Sequence, residues 1–537
     1  MKKRMMCVLL ALMLVLTGCG SGAAEPETTT PEVLTDPDTV VIQLENGQVL
    51  VEEGVGVSVA NDIIYYESGH DFTYGEGEPG DEHDKAEADA HTVVHITQPG
   101  TYRISGTLEK GQIAVDLGSD AKKDPNAVVT LILDGVDITC TVAPAVIFYN
   151  VYECGSKDEE TATANVDTSA AGANVILADG SENNVRGAYV ARIYKPDSVV
   201  LSADGKSVEE AKKLHKYDAA FYSKMSMNIS GGEIGDGILN IYAENEGLDS
   251  ELHLTIHGGD IRIESGNDGI NTNEDGISVT TINGGSLQIL VNGATGEGDG
   301  IDSNGWLVIN GGYVTAQGCG FSMDAGIDSD MGIYINGGTV MASGNMLDHI
   351  AGGDATYAVF QFNGTRKTGT YTLKDTEGRE VLRYAPVNNF SYLVVSSRDL
   401  VPGTYTLWQG NEQLSGSAGS GGMGFGGMDF GGMAPGNFQP PEGDFQIPGQ
   451  PGMPMEPQGG APNMPEGGMP GGFDPNGEMP EGFNPGQGGG FGGGQGGFSG
   501  GFPGGMPGGM QGGNPQTGET SGEFQIGTGE NYFKIYN

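Results

Sequence analysis

Apolar and polar residues alternate in short bursts through the middle of the chain. Examples are Leu252-His253-Leu254-Thr255-Ile256, Ile261-Arg262-Ile263-Glu264, Leu287-Gln288-Ile289-Leu290-Val291 and Trp306-Leu307-Val308-Ile309. Alternation at a period of two, rich in β-branched residues, predicts strands, and the Gly-Gly and Asn-Gly pairs between bursts predict turns. This stretch has no helix-period segment of useful length.

The bursts repeat. The element Ile-x-Gly-Gly begins at Ile229, Ile256, Ile282, Ile309 and Ile335, in steps of 27, 26, 27 and 26 residues. A fixed period of this size means a solenoid, propeller or array. A propeller blade needs about 40 residues, and a leucine-rich repeat needs a Leu/Asn pattern that is missing here. A unit of about 26 residues with three short strands predicts one rung of a parallel β-helix, with alternate side chains stacked inward and glycines at positive-φ corners.

A second element lies between the Gly-Gly turns. It reads Glu246-Gly247-Leu248-Asp249-Ser250, Asp268-Gly269-Ile270-Asn271-Thr272, Asp299-Gly300-Ile301-Asp302-Ser303 and Ala325-Gly326-Ile327-Asp328-Ser329, with a degraded copy at Asn345–His349 and an earlier relative at Asp218–Ser223. One copy per rung predicts a column of Asp249, Asn271, Asp302, Asp328 and Asp348. Carboxylates stacked about 5 Å apart repel by roughly 3 kcal/mol per pair at an effective dielectric near 20. Either their pKa values rise or a cation sits between them. Calcium suits an exported protein and an all-oxygen ligand set. Asp268, Asp299 and Asp324 are further candidate ligands. The competing expectation is an Asx ladder that bonds turn amides and holds no metal.

Composition divides the chain. Residues 411–520 hold 39 of the 95 Gly, 16 of the 26 Pro, 10 of the 20 Met, and no Lys or Arg. Such a segment cannot build a core, so residues 411–522 read as low-complexity and disordered. The last residues, 523–537, turn strand-like again. The block therefore reads as a long loop inside a terminal hairpin with Gly403–Trp408, in preference to a free tail. Residues 1–19 combine Lys2, Lys3 and Arg4 with a short apolar run and Leu16-Thr17-Gly18-Cys19, which resembles a bacterial lipobox. Cys19 is then the lipidated first mature residue. Residues 20–40 form a disordered tether, and residues 41–410 the folded domain on the outer face of the membrane. Cys140, Cys154 and Cys319 remain, and a Cys140–Cys154 disulfide and three buried thiols are both open readings.

Acidic residues outnumber basic ones 71 to 25, for a net charge of −46. That argues against nucleic acid and against electrostatic attraction to an anionic membrane, leaving the lipid as the membrane contact.

The motifs also resemble a family. Tyr102-Arg103-Ile104-Ser105-Gly106-Thr107-Leu108, Gly111-Gln112-Ile113-Ala114-Val115-Asp116, Leu131–Thr139, Asp218–Lys224 and the Gly-Gly and Asp-Gly-Ile-Asp-Ser rungs together resemble bacterial carbohydrate-binding-domain lipoproteins with a polysaccharide-lyase-like right-handed β-helix. The resemblance covers about residues 90–410. It implies calcium within the helix and binding of cellulose and of acidic polymers such as polygalacturonate. The chain departs from the pattern at 155–215, read as an insertion with a short helix at 207–215.

A lyase needs a basic residue to take the proton next to a uronate carboxylate. Between Met225 and Thr365 the one basic residue is Arg262, flanked by Ile261 and Ile263, which predicts an ordinary outward-facing Arg. Lys224, just before that stretch, is an equally thin candidate. Binding without catalysis is therefore the expected role, with a glycan-free adhesive or structural protein, or a lyase, as alternatives. Neutral glucans would need exposed aromatic platforms. Trp306, Tyr313 and Tyr334 are the candidates, against a reading of each as core. His83, His91 and His95 are expected at the surface.

Overall fold

A computed structural model describes residues 38–46, 48–51, 56–419, 520–529 and 531–537. The signal, Cys19, most of the tether and almost all of the low-complexity block lie outside the described residues.

The chain is all-β, with mostly parallel strands, and visits three ladders in turn. One ladder runs through Thr92–Ile96, Gly111–Asp116, Val146–Asn150, Ala219–Ser223, Glu246–Ser250, Ile270–Thr272 and Ile301–Ser303, every pair parallel. A second runs from Val129–Thr139 through Ala173–Leu177, Met227–Gly231, His253–Ile256, Val279–Ile282, Trp306–Ile309, Gly332–Ile335 and Ile350–Gly352. The third joins Glu182–Gly187, Ile238–Ala243, Asp260–Ser265, Ser286–Val291, Tyr313–Gln317 and Thr339–Gly344.

The repeat explains the register. Ile229, Ile256, Ile282, Ile309 and Ile335 pair in succession along the second ladder, and all five are buried. The second Gly of the last four copies has positive φ. A Cβ at Gly312 would lie 2.8 Å from the Gly285 carbonyl oxygen, so the turns stack too closely for a side chain. Beside them runs an amide ladder: Asn310 donates to Asn283 at 2.8 Å and Asn336 to Asn310 at 2.7 Å.

From Tyr357 onward the strands are mainly antiparallel and enclose a second core of Phe360, Phe362, Tyr371, Phe390, Tyr405, Phe524 and Phe533, among others. Phe390–Ser396 pairs antiparallel with Thr339–Gly344 and covers that ladder's edge. Gly403–Gln409 pairs antiparallel with Phe524–Ile526.

Three expectations change, and one open reading is decided. Within 155–215, Ala173–Leu177 and Glu182–Gly187 are full ladder members, so the excursions lie on either side of them. Its 207–215 stretch contains a short strand, Val208–Glu210, paired with Val200–Leu201, where a helix was expected. Cys140 and Cys154 are free thiols. His91 is fully buried, bonded to the Glu87 carbonyl at 3.0 Å and accepting from the Thr141 amide. The reason is a long-range contact: the short helix Lys85–Asp89 leads His91 against Thr141, 50 residues on. No helix among the described residues is long and apolar enough to cross a membrane.

Candidate functional site

The acidic repeat lies on the first ladder. Register pairs Leu248 with Ile270 and Ile270 with Ile301, Asp249 with Asn271 and Asn271 with Asp302, and Ser250 with Thr272 and Thr272 with Ser303. Leu248, Ile270 and Ile301 are core residues. The Ser and Thr column also points inward, where Thr272 and Ser303 share a 2.8 Å hydrogen bond. Period-two alternation then sends Asp249, Asn271 and Asp302 to the outer face. The glycine of each copy has a steric cause: a Cβ at Gly247 would sit 2.5 Å from the Gly269 carbonyl oxygen.

Asp328 follows beyond the last regular strand, its amide donating to the Ile301 carbonyl at 2.7 Å. Asp348 accepts from the Ser329 amide at 3.1 Å. The other candidates form their own chain of caps. Asp268 accepts from the Asp299 amide at 2.7 Å, Asp299 from the Ala325 amide, and Asp324 from the Gly298 amide at 2.8 Å.

Burial without donors distinguishes part of this array. Asp249 is fully buried; its Oδ1 accepts from Asn273 Nδ2 at 2.7 Å, while its Oδ2 has no partner. Glu246 accepts from Asn271 Nδ2 at 3.3 Å through Oε1 and leaves Oε2 unpaired. Asn271 Oδ1 and Asp328 Oδ1 are also buried and unpaired. All four are acceptor oxygens, and an unmet buried polar atom costs about 1–3 kcal/mol. The Arg192 guanidinium, which acts on Glu246 from nearby, bonds Asp218 at 3.3 Å and Glu76 at 3.4 Å.

The carboxyl groups respond. Burial, reinforced by neighbouring carboxylates, pushes Asp299 up to about 9, and Asp268, Asp302 and Asp328 up to about 7. Glu246 and Asp249 are raised well above the usual carboxylate range for the same reasons. Among the described residues no three His, Cys, Asp or Glu side chains gather into a metal cage. Glu246 and Asp249 share one strand and Asn271 lies on the next, so a cation here would draw oxygens from neighbouring strands, with the Asn271 amide oxygen, carbonyls and water completing the shell. The unpaired oxygens fit that demand.

The same ladder carries an aromatic and basic end, of which the sequence singled out Lys224 but not the aromatic residues. Tyr222 pairs in register with Asp249 and donates to Glu251. Tyr217 stacks on His215 at 4.1 Å, with the Lys224 ammonium 5.9 Å from the Tyr217 ring. Burial lowers the Lys224 pKa. The signal was non-local: His215 and Tyr217 sit in an excursion with no repeat. Arg262 is half-buried and paired with Asp260 on the third ladder.

The aromatic candidates divide. Trp306 and Tyr334 are half-buried on the second ladder, while Tyr313, on the third, is 39% exposed.

Fold and site define a parallel-laddered all-β protein with a buried-acid column on one outer face. Its residues 90–357 match the model of the family described as carbohydrate-binding domain-containing protein. A protein of Acetivibrio thermocellus with that same description is 27% identical over 266 residues, 49% of this chain and 65% of the relative, so the match spans less than two-thirds of that relative's length. A solved structure titled as the polysaccharide lyase-like protein from C. thermocellum, a gadolinium derivative, aligns with 21% identity and a TM-score of 0.34, covering 59% of this chain and 93% of that one.

Proposed function

We propose that the chain is a non-catalytic carbohydrate-binding protein of the cell exterior. In this reading the ladders form a right-handed parallel β-helix, calcium occupies the acidic column, and the ligand is a polysaccharide, acidic polygalacturonate and/or cellulose. A lipid on Cys19 holds it to the outer face of the membrane.

One observation carries the reading: buried acceptor oxygens without donors on Glu246, Asp249, Asn271 and Asp328, within a segment that matches a carbohydrate-binding family. Glu246, Asp249, Asn271, Asp302 and Asp328 would hold the cation. When bound, it would neutralise the column and offer open coordination positions to sugar carboxylates, which an acidic surface otherwise repels.

A lyase is the second reading, and Lys224 is the observation in its favour. It is half-buried, its pKa is lowered by burial, and it follows the strand that pairs with Glu246–Ser250. Ultraviolet-absorbing unsaturated uronide released from polygalacturonate would establish it.

Affinity electrophoresis of residues 20–537 through gels with polygalacturonate, a soluble cellulose derivative or no polymer tests the main reading. Each gel is run with calcium and with chelator. Polygalacturonate should retard the protein only with calcium. A folded protein retarded in no gel would remove the glycan reading for these polymers in favour of an adhesive or structural role.

A further inference from the structure

We infer that a groove on the third ladder, beside the ladder that carries the acidic column, is a subsite for a neutral pyranose chain. This rests on the carbohydrate-binding reading and names a place and a ligand class for it.

The groove has a volume of about 390 Å³ and runs along one outward column of the ladder. Thr139, Arg186, Tyr242 and Glu264 occupy successive strands in that column. Tyr242 is 42% exposed, an unusual solvent contact for a large ring on a strand where Leu239 and Ile241 are fully buried. Ala243 and Ala294 extend its apolar floor. Pockets of this size suit small ligands bound by an apolar surface and a few placed polar groups.

The polar groups are already placed. The Arg186 guanidinium lies 5.0 Å from the Tyr242 ring centroid and donates to Asp137 Oδ1 at 2.7 Å. Held on two sides, it presents its remaining N–H groups with little entropy left to lose. Across the ring, Glu264 accepts from Asn292 at 3.4 Å, a contact long enough to yield to a sugar hydroxyl. The groove thus offers donors from Arg186 and Asn292 and acceptors from Glu264, beside an aromatic edge. That is the complement of a pyranose, whose C–H surface is apolar and whose rim is hydroxyl. Ladder spacing, about 4.8 Å, is close to the advance of one sugar unit.

The charge selects the class. Arg186 is neutralised by Asp137, whereas Glu244 and Glu264 line the groove with no cation pairing them among the described residues. A uronate carboxylate would be repelled, and a neutral ring would not. Because the acidic column lies on another ladder, this binding does not require calcium.

The test is calorimetric titration of residues 20–537 with cellohexaose, xylohexaose and mannohexaose, with chelator present. At least one should bind, and Tyr242→Ala and Asn292→Ala should each weaken it by about tenfold or more at an unchanged thermal midpoint. Binding by none of the three, or unchanged binding by Tyr242→Ala, would overturn the inference. If the hexasaccharides fail while calcium-dependent retardation by polygalacturonate persists, only this inference falls. If both fail, the carbohydrate-binding reading falls with it.

Discussion

Asp249 and Asn271 face each other across neighbouring parallel strands, and each keeps one buried side-chain oxygen without a donor. A pair of acceptors cannot satisfy itself. The Asn271 amide donates to Glu246 Oε1 and the Asn273 amide to Asp249 Oδ1, so neither reaches the open oxygens.

Replacing Asp249 with Asn removes the most deeply buried carboxyl group of the column and supplies a new donor. With chelator present, Asp249→Asn should melt about 1–2 °C above the parent, as expected for roughly 1 kcal/mol in a domain of this size. The parent should gain stability on adding millimolar calcium, and the variant should lose most of that gain. Differential scanning fluorimetry with and without calcium measures both. An equal calcium shift in the two proteins would move the cation away from Asp249.

The raised carboxyl pKa values set a pH dependence opposite to the usual one for acids. Asp268, Asp302 and Asp328 bind protons up to about pH 7 in the fold and Asp299 up to about 9, whereas unfolded Asp releases them near pH 4. Between those limits the folded state holds more protons, so stability falls as pH rises. Each group contributes at most about 1.4 kcal/mol per pH unit, and solvent reaching the half-buried ones reduces that. Without calcium, thermal midpoints should therefore decline from pH 5 to pH 8. Calcium should restore far more at pH 8 than at pH 5. A chelated protein more stable at pH 8 than at pH 5 would contradict the assigned burial.

How much of this was legible in the chain follows from the range of each interaction. The isoleucine column needed only the step of the Ile-x-Gly-Gly element, because parallel register carries a fixed period straight into stacking. The same logic placed Asp249, Asn271 and Asp302 in one column. Other features depended on contacts distant in sequence. Nothing near His91 announces that a five-residue helix tucks it beneath Thr141. The two ladder strands between residues 155 and 215 carry no Gly-Gly signature and were absorbed into an apparent insertion. The groove around Tyr242 was invisible because Arg186 and Glu264 lie 56 residues before and 22 after it in the chain.

Core packing should be sensitive along the isoleucine column. Ile282 is fully buried between Ile256 and Ile309. Ile282→Ala should cost about 2–5 kcal/mol through lost burial and a residual cavity, whereas Ile282→Val should cost about 0.5–1.5 kcal/mol. Urea unfolding followed by circular dichroism gives both values. Near-equal costs would mean that the ladders close up around the smaller side chain.

The low-complexity block can be removed without loss of the terminal strands if they belong to the second core. Gly416 and Ser521 exchange two backbone hydrogen bonds, at 2.9 and 2.8 Å, so the chain leaves and re-enters at one place. Beyond that point Phe524 and Phe533 pack on Phe360 with ring centroids 5.5 Å away in each case. Tyr532–Ile535 pairs parallel with Tyr357–Arg366, and Gly416–Ala418 pairs antiparallel with it. A short Gly/Ser linker in place of residues 420–519 should keep the thermal midpoint within about 2 °C, since loop length changes stability only slowly. Cleavage at a protease site engineered into the block should leave both pieces co-eluting on gel filtration until denaturant is added. Deleting residues 520–537 instead strips two aromatic rings from the core, at a cost of about 3–5 kcal/mol for each Phe, and should expose the second core to protease. Release of the terminal piece on cleavage in native buffer would show that the stem does not hold it.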